Sequence, residues 1–220
     1  MNAPAPSRLW DLPTRLFHWA LVVLIALQYA TGEFDLLDLR WHFWFGYATL
    51  ALVLFRILWG LFGSQTSRFS DFVRGPRAVA AYVRAMGRGG AKQSVGHNPV
   101  GGWSVLALLT CVLVQAVTGL FSSDDVDNDG PLAAHVAAAT VKAMTRLHHL
   151  AQNVLLVLIV LHVGAVLFYR FVQRDDLIGP MISGRKALGE APPLRFASGL
   201  RAAVLFAASV LIVAALLWRA

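Results

Sequence analysis

Four histidines hold most of the chemistry open to this chain. His148 and His162 bracket the greasy run LHHLAQNVLLVLIVLH (147–162) and stand 14 residues apart, about 21 Å along a helix at 1.5 Å per residue. At about 100° per residue the second imidazole returns to within about 40° of the first, so the two share a face. His149 falls about 140° away from His162, which makes His148 the inward-facing member of its dyad. His18 and His42 lie near the starts of two other apolar runs. Ionisable groups inside a membrane span are costly enough to count as functional by default. Two imidazoles at one depth on different helices match what haem iron needs, an axial ligand above and one below the ring.

The elements that must carry these side chains follow from composition. Of 220 residues, 57% are hydrophobic and only 14% charged, too apolar for a domain wetted on all sides. The expectation is an all-α membrane protein. One cysteine, Cys111, excludes a disulfide framework and a C-x-x-C-H site for covalently attached haem. The formal charge of +7 is explained by loops that collect Lys and Arg on the cytoplasmic side, and no basic stretch carries a nucleic-acid motif.

Five stretches are long enough to cross the hydrocarbon: 13–33, 41–63, 101–121, 147–171 and 198–218. Pro13 suits a first helical turn and Gly32 the end of that helix. With no small-residue cleavage site after it, the first span is expected to be a retained anchor. Arg8 and Arg15, then Arg68, Arg74, Arg77, Arg84, Arg88 and Lys92, then Arg170, Arg174, Arg185, Lys186, Arg195 and Arg201 fall on one side. The opposite loops are acidic, with Glu33, Asp35 and Asp38, then Asp124, Asp125, Asp127 and Asp129. The alternation predicts a multi-pass protein of a bacterial inner membrane, N-terminus cytoplasmic and C-terminus periplasmic. RGPRAVAAYVRAMGRGG reads as a short basic interfacial helix with Tyr82 and Val83 on its apolar side. No internal repeat stands out.

With these directions His18 and His162 share the cytoplasmic level, and His42 and His148 the periplasmic one. The expected metal ligands are therefore His18 with His162 and His42 with His148, each pair holding one b-type haem between helices of a bundle. Arg56, 14 residues beyond His42, and Arg15 suit the propionates of the cytoplasmic haem, with Arg40, Lys142 and Arg146 near the other. Gly46, one turn from His42, leaves room for a porphyrin edge. The bland readings are an interfacial histidine, a snorkelling arginine and a glycine that serves helix packing. Zinc fits poorly, because the donors come in twos and no H-E-x-x-H is present.

RLWDLPTRLFHW, WHFWFGYATLALVLFRILWG, FSDFVRGPRAVAAYVR, GHNPVGGW, the paired histidines and GPMISGRK resemble the bacterial cytochrome b561 family, kin to the cytochrome b subunits of nickel-iron hydrogenases. The resemblance covers residues 8–187. It implies a four-helix transmembrane bundle binding two b haems through histidines of the first, second and fourth helices, here His18, His42, His148 and His162. It also implies electron exchange between the membrane quinone pool and a redox partner, a c-type cytochrome, hydrogenase or other dehydrogenase of a respiratory chain. Relatives often carry an acidic residue where this chain has His149. The fifth span, 198–218, is an additional C-terminal transmembrane helix, apolar on all sides, whose expected role is anchoring or oligomer contact.

Other signals are weaker. DVDNDG (125–130) fits the opening of an EF-hand loop, but its twelfth position is Val136 rather than a bidentate glutamate. His97 in GHNP reads either as a solvated or capping histidine or as a donor to a quinone carbonyl, and Gln115 and Thr118 either line the bundle or bond across helices. Two rival classes are a haem-free anchor or assembly subunit for a peripheral enzyme, which would be colourless, and a histidine-relay transporter, which would couple flux to a pH gradient.

Overall fold

The computed structural model describes residues 6–34, 36–88, 94–187 and 193–218; Asp35 and Lys92, counted among the loop charges, lie outside the described residues. In chain order the elements are β1 (Pro6–Arg8), α1 (Leu12–Gly32), α2 (Leu39–Phe62), α3 (Phe69–Phe72), α4 (Pro76–Gly87), α5 (Pro99–Gly119), α6 (Ala138–Phe171), α7 (Ile178–Ser183), β2 (Arg185–Ala187) and α8 (Gly199–Trp218). Helices α1, α2, α5, α6 and α8 are long and apolar enough to cross a bilayer. The chain is an all-α membrane protein.

Polar caps set where the helices begin. The Asp38 carboxylate accepts from the Arg40 N–H at 2.9 Å ahead of α2, and the Asn98 amide oxygen accepts from the Gly101 N–H at 2.7 Å ahead of α5. α6 starts at Ala138, nine residues before the apolar run suggests. The intervening AATVKAMTR is too polar to register as lipid-facing, yet its alanines favour helix. At 34 residues α6 is about 51 Å long, and so extends well beyond a hydrocarbon core of about 30 Å.

The helices pack as two hairpins, α1 with α2 and α5 with α6, joined along α2 and α5. α2 is the hub: Val53, Phe55, Arg56 and Trp59 are all buried. They meet Phe17 of α1, Leu109 and Val112 of α5 and Leu155 of α6 in the mid-bundle core. The fifth helix is not isotropic in use. Ala202, Ser209 and Val213 bury one face of α8, and α8 packs along α2, with Phe206 edge-on to Phe55 at 5.8 Å. Small residues on that face let the two backbones approach, as helix contacts in lipid require.

A polar node closes the end of the bundle nearest the N-terminus. Asp11 is 1% exposed; one carboxylate oxygen accepts from the Thr14 N–H at 2.7 Å, capping α1, and the other accepts from the Trp59 indole N–H of α2 at 3.1 Å. The Thr14 and Ser67 hydroxyls bond at 2.6 Å. β1 pairs antiparallel with β2, Ser7 opposite Lys186, and the Leu9 N–H reaches the Gly184 carbonyl at 2.8 Å. Gly184 has φ +77°, and a Cβ there would lie 2.9 Å from the Trp10 carbonyl oxygen, so both conformation and space call for glycine. α4 turns Tyr82 inward, where its hydroxyl bonds that of Tyr169 at 2.8 Å, whereas Val83 is exposed. The expected apolar side is thus one residue off: Val79, Tyr82 and Met86 form the inner face.

Asp11→Ala removes the cap of α1 and leaves the Trp59 N–H buried without a partner, an expected loss of about 2 kcal/mol. Thermal unfolding in detergent checks this; a midpoint unchanged from wild type would show that the node does not hold the two helices together.

Candidate functional site

At the end of the bundle that carries Glu33, Asp38 and Asp124, the acidic end, the His42 and His148 rings face each other with centroids 6.3 Å apart. Each is held from the neighbouring helix in the same way. His42 Nδ1 lies 3.1 Å from the Gln28 carbonyl oxygen and 3.2 Å from Thr31 Oγ1. His148 Nδ1 lies 3.0 Å from the Gln115 carbonyl oxygen and 3.1 Å from Thr118 Oγ1. A carbonyl only accepts. The two threonine hydroxyls already donate along their own helices, to the carbonyls of Leu27 at 2.9 Å and Val114 at 2.7 Å. The proton therefore sits on each Nδ1, and the lone pair on each Nε2. At His148 that lone pair accepts from the Gln115 side-chain amide at 3.0 Å.

Glycine makes room for both rings. A Cβ on Gly32 would lie 2.8 Å from His42 Cε1, and one on Gly119 would lie 3.1 Å from His148 Cε1. The helical segments QYATG (28–32) and QAVTG (115–119) are thus two copies of one device, carbonyl, hydroxyl and gap at matching positions. This short repeat escapes a sequence reading that looks for longer periods. The spacing Q-x-x-T-G, one turn of helix ending at a histidine-facing glycine, is the signal that would have found it. Gln115 and Thr118 bond across helices rather than merely lining the bundle.

At the opposite, basic end, His18 of α1 and His162 of α6 have ring centroids 6.4 Å apart. His18 Nδ1 is buried without a hydrogen-bond partner among the described residues. Arg15 donates from Nη1 to the Ile182 carbonyl of α7, while its Nε is buried with no partner among the described residues. Arg56 does not snorkel: it is 3% exposed, donates to the Ser67 carbonyl at 3.2 Å and lies over the Phe69 ring at 5.2 Å. His97 is neither solvated nor the helix cap, a role taken by Asn98. It is enclosed between Trp10 and Phe72, ring centroids 4.8 and 4.6 Å away. Its burial, with Arg56 and His162 nearby, pushes the imidazole pKa down to about 3.

The donors fit a bis-imidazole iron. Each pair brings two imidazoles from different helices to within 6.3–6.4 Å of one another, room for one metal ion between them. The outer pair also lines an open cavity of about 1300 Å³, mouth included, between α1, α2, α5 and α6. Gly46 lines the same cavity, and a Cβ there would meet nothing within 4 Å. Across it the Tyr29 hydroxyl donates to the Gln152 carbonyl at 3.1 Å, and the Gln152 amide donates to Glu33 at 3.0 Å. His149 is exposed beside His148. Among the described residues no three His, Cys, Asp or Glu gather. The acidic turn is self-satisfied: one Asp124 oxygen accepts the N–H groups of Val126, Asp127 and Asn128, and a Cβ on Gly130 would lie 2.5 Å from the Gly119 carbonyl oxygen.

A family model described as prokaryotic cytochrome b561 matches residues 9–184. No curated protein matches the chain significantly.

His97 generates a pH dependence. Its folded pKa lies below the ordinary 6.5, so as pH falls beneath that value the unfolded chain takes up a proton that the folded chain refuses until about pH 3. Stability is expected to drop through that interval and to be flat above it. At about pH 4.5 the loss amounts to about 2–3 kcal/mol, and His97→Phe removes this share. Unfolding midpoints of wild type and His97→Phe at about pH 7.5 and about pH 4.5 test it; equal acid losses in the two proteins would refute the assignment.

Proposed function

The chain belongs to the prokaryotic cytochrome b561 family, and on that premise we propose that it is a di-haem b-type cytochrome relaying single electrons across the bilayer between the quinone pool and a redox protein. Family membership makes it a membrane cytochrome of electron transfer; two haems, their ligands and the partners are the finer reading. The observation that carries it is the pairing of four imidazoles from α1, α2 and α6 at two depths, each pair with room for one iron between its rings.

In this reading His42 and His148 hold the outer haem b, and His18 and His162 the inner one. Gly46 clears the outer ring's edge, and Arg15 and Arg56 face the inner propionates, a role favoured by the Arg15 Nε, which has no partner among the described residues. Haem supplies the one-electron iron couple. The chain's own part is to supply imidazole lone pairs at fixed positions and to exclude water. Two histidines to each iron would leave oxygen no site, so relay is favoured over oxygen activation.

Residues 8–187 form the electron-carrying unit, and α8 braces α2. The basic loops face the cytoplasm of a bacterial inner membrane, which puts the acidic end and the C-terminus in the periplasm. There Glu33, Asp38 and the Asp124–Asp129 turn would steer a basic partner, a c-type cytochrome or the docking face of a hydrogenase or dehydrogenase, more weakly as salt rises.

Purified protein is expected to show low-spin b-type bands and about two haems per chain; colourless, correctly inserted protein would overturn the reading. His18→Ala and His162→Ala should erase one spectral component, and His42→Ala and His148→Ala the other. Should His18→Ala and His42→Ala remove the same component, the pairing is wrong. His149→Ala should retain both haems, since it is exposed and His148 is the residue whose ring opposes His42. Gly46→Phe should fill the open cavity and cost the outer haem while sparing the inner, as haem content and difference spectra would read.

A further inference from the structure

The two histidine pairs are alike in spacing but not in their hydrogen bonds, and the difference has a redox meaning. Both outer imidazoles have their Nδ1–H shared between a backbone carbonyl and a threonine hydroxyl, at 3.0 to 3.2 Å. These acceptors are well shielded: Thr31 is 0% and Thr118 3% exposed. At the inner pair His18 Nδ1 is buried with no acceptor among the described residues. An acceptor on Nδ1–H fixes the ring's tautomer and orientation and makes the other nitrogen a stronger donor to a metal. Stronger donation favours the ferric over the ferrous state, and so lowers the reduction potential.

We propose that the twin Q-x-x-T-G segments, 28–32 and 115–119, are matched positioning cradles that hold His42 and His148 as Nδ1–H tautomers and set the outer haem's potential below that of the inner haem. The proposal rests on the di-haem reading above. Within each cradle the roles are separate. The glutamine carbonyl and the threonine hydroxyl accept the Nδ1 proton, the threonine's own proton is tied to a carbonyl of its helix, and the glycine lets the ring close to bonding distance. Because the threonine proton is already committed, the hydroxyl cannot turn round to donate, and the alternative tautomer would set the Nδ1 lone pair against a backbone carbonyl oxygen.

The test is potentiometry on detergent-purified holoprotein, with each spectral component assigned through His42→Ala and His18→Ala. In wild type the component lost in His42→Ala is expected to titrate at the lower potential. Thr31→Val and Thr118→Val are expected to keep two haems per chain and to raise that component's midpoint, more in the double variant. The other midpoint should stay in place, and the low-spin EPR signal of the outer haem alone should change. Thr31→Ser and Thr118→Ser keep the hydroxyl and should restore the wild-type values. Loss of the outer haem in the Val variants with retention in the Ser variants also supports the cradle. Midpoints unmoved by both Val changes, an equal shift of both components, or loss of the outer haem in Val and Ser forms alike would overturn it. A wild-type protein without haem would instead overturn the di-haem reading on which the proposal stands.

Discussion

A histidine buried in hydrocarbon has to place its N–H on an acceptor, because no water is there to take it. In this protein that requirement and the need for a metal-ready nitrogen are met by one arrangement at the acidic end. The acceptor comes from the preceding helix of each hairpin, α1 for His42 and α5 for His148. It occupies Nδ1 and so presents the opposite nitrogen to the space between the hairpins. Glycine at the point of contact is a consequence of the same bond, since a methyl group would hold the ring away. Helix spacing and tautomer are therefore one constraint seen two ways.

The rest of the bundle keeps those helices in register. Asp11 ties the start of α1 to Trp59 near the end of α2. Buried Arg56, bonded to the Ser67 carbonyl and stacked over Phe69, holds the turn after α2 beneath the bundle. A fixed cation in low dielectric favours nearby negative charge, here the buried Asp11 carboxylate, and adds to burial in keeping the neighbouring His97 neutral.

Much of this was legible in the residues. Hydropathy located all five spans to within a few residues except at the start of α6, where an alanine-rich polar stretch continues the helix outside the greasy run. The 14-residue spacing and the loop charges predicted which imidazoles meet, and the angle argument separated inward His148 from exposed His149. The pattern did not reveal roles that depend on what lies across a helix interface. Asp11 gives no sign of its role until the Trp59 indole is seen bonded to it, and His97 reads as a helix-start residue until Trp10 and Phe72 close around it. The Q-x-x-T-G copies were invisible for a related reason: five residues are too few to register as a repeat until both are seen gripping a ring.

The pairing of β1 with β2 bears on how the molecule is made. A chain threaded into the membrane from its N-terminus delivers Pro6–Arg8 first and Arg185–Ala187 some 180 residues later, so the opening strand stays an unmatched edge while four helices are laid down. Its closure waits for the ribosome to pass the fourth helix, and only then do the ends of the hairpin pair lock together. The clasp thus joins the approach to the first hairpin with the segment that follows the second, and can close only once α6 is in place.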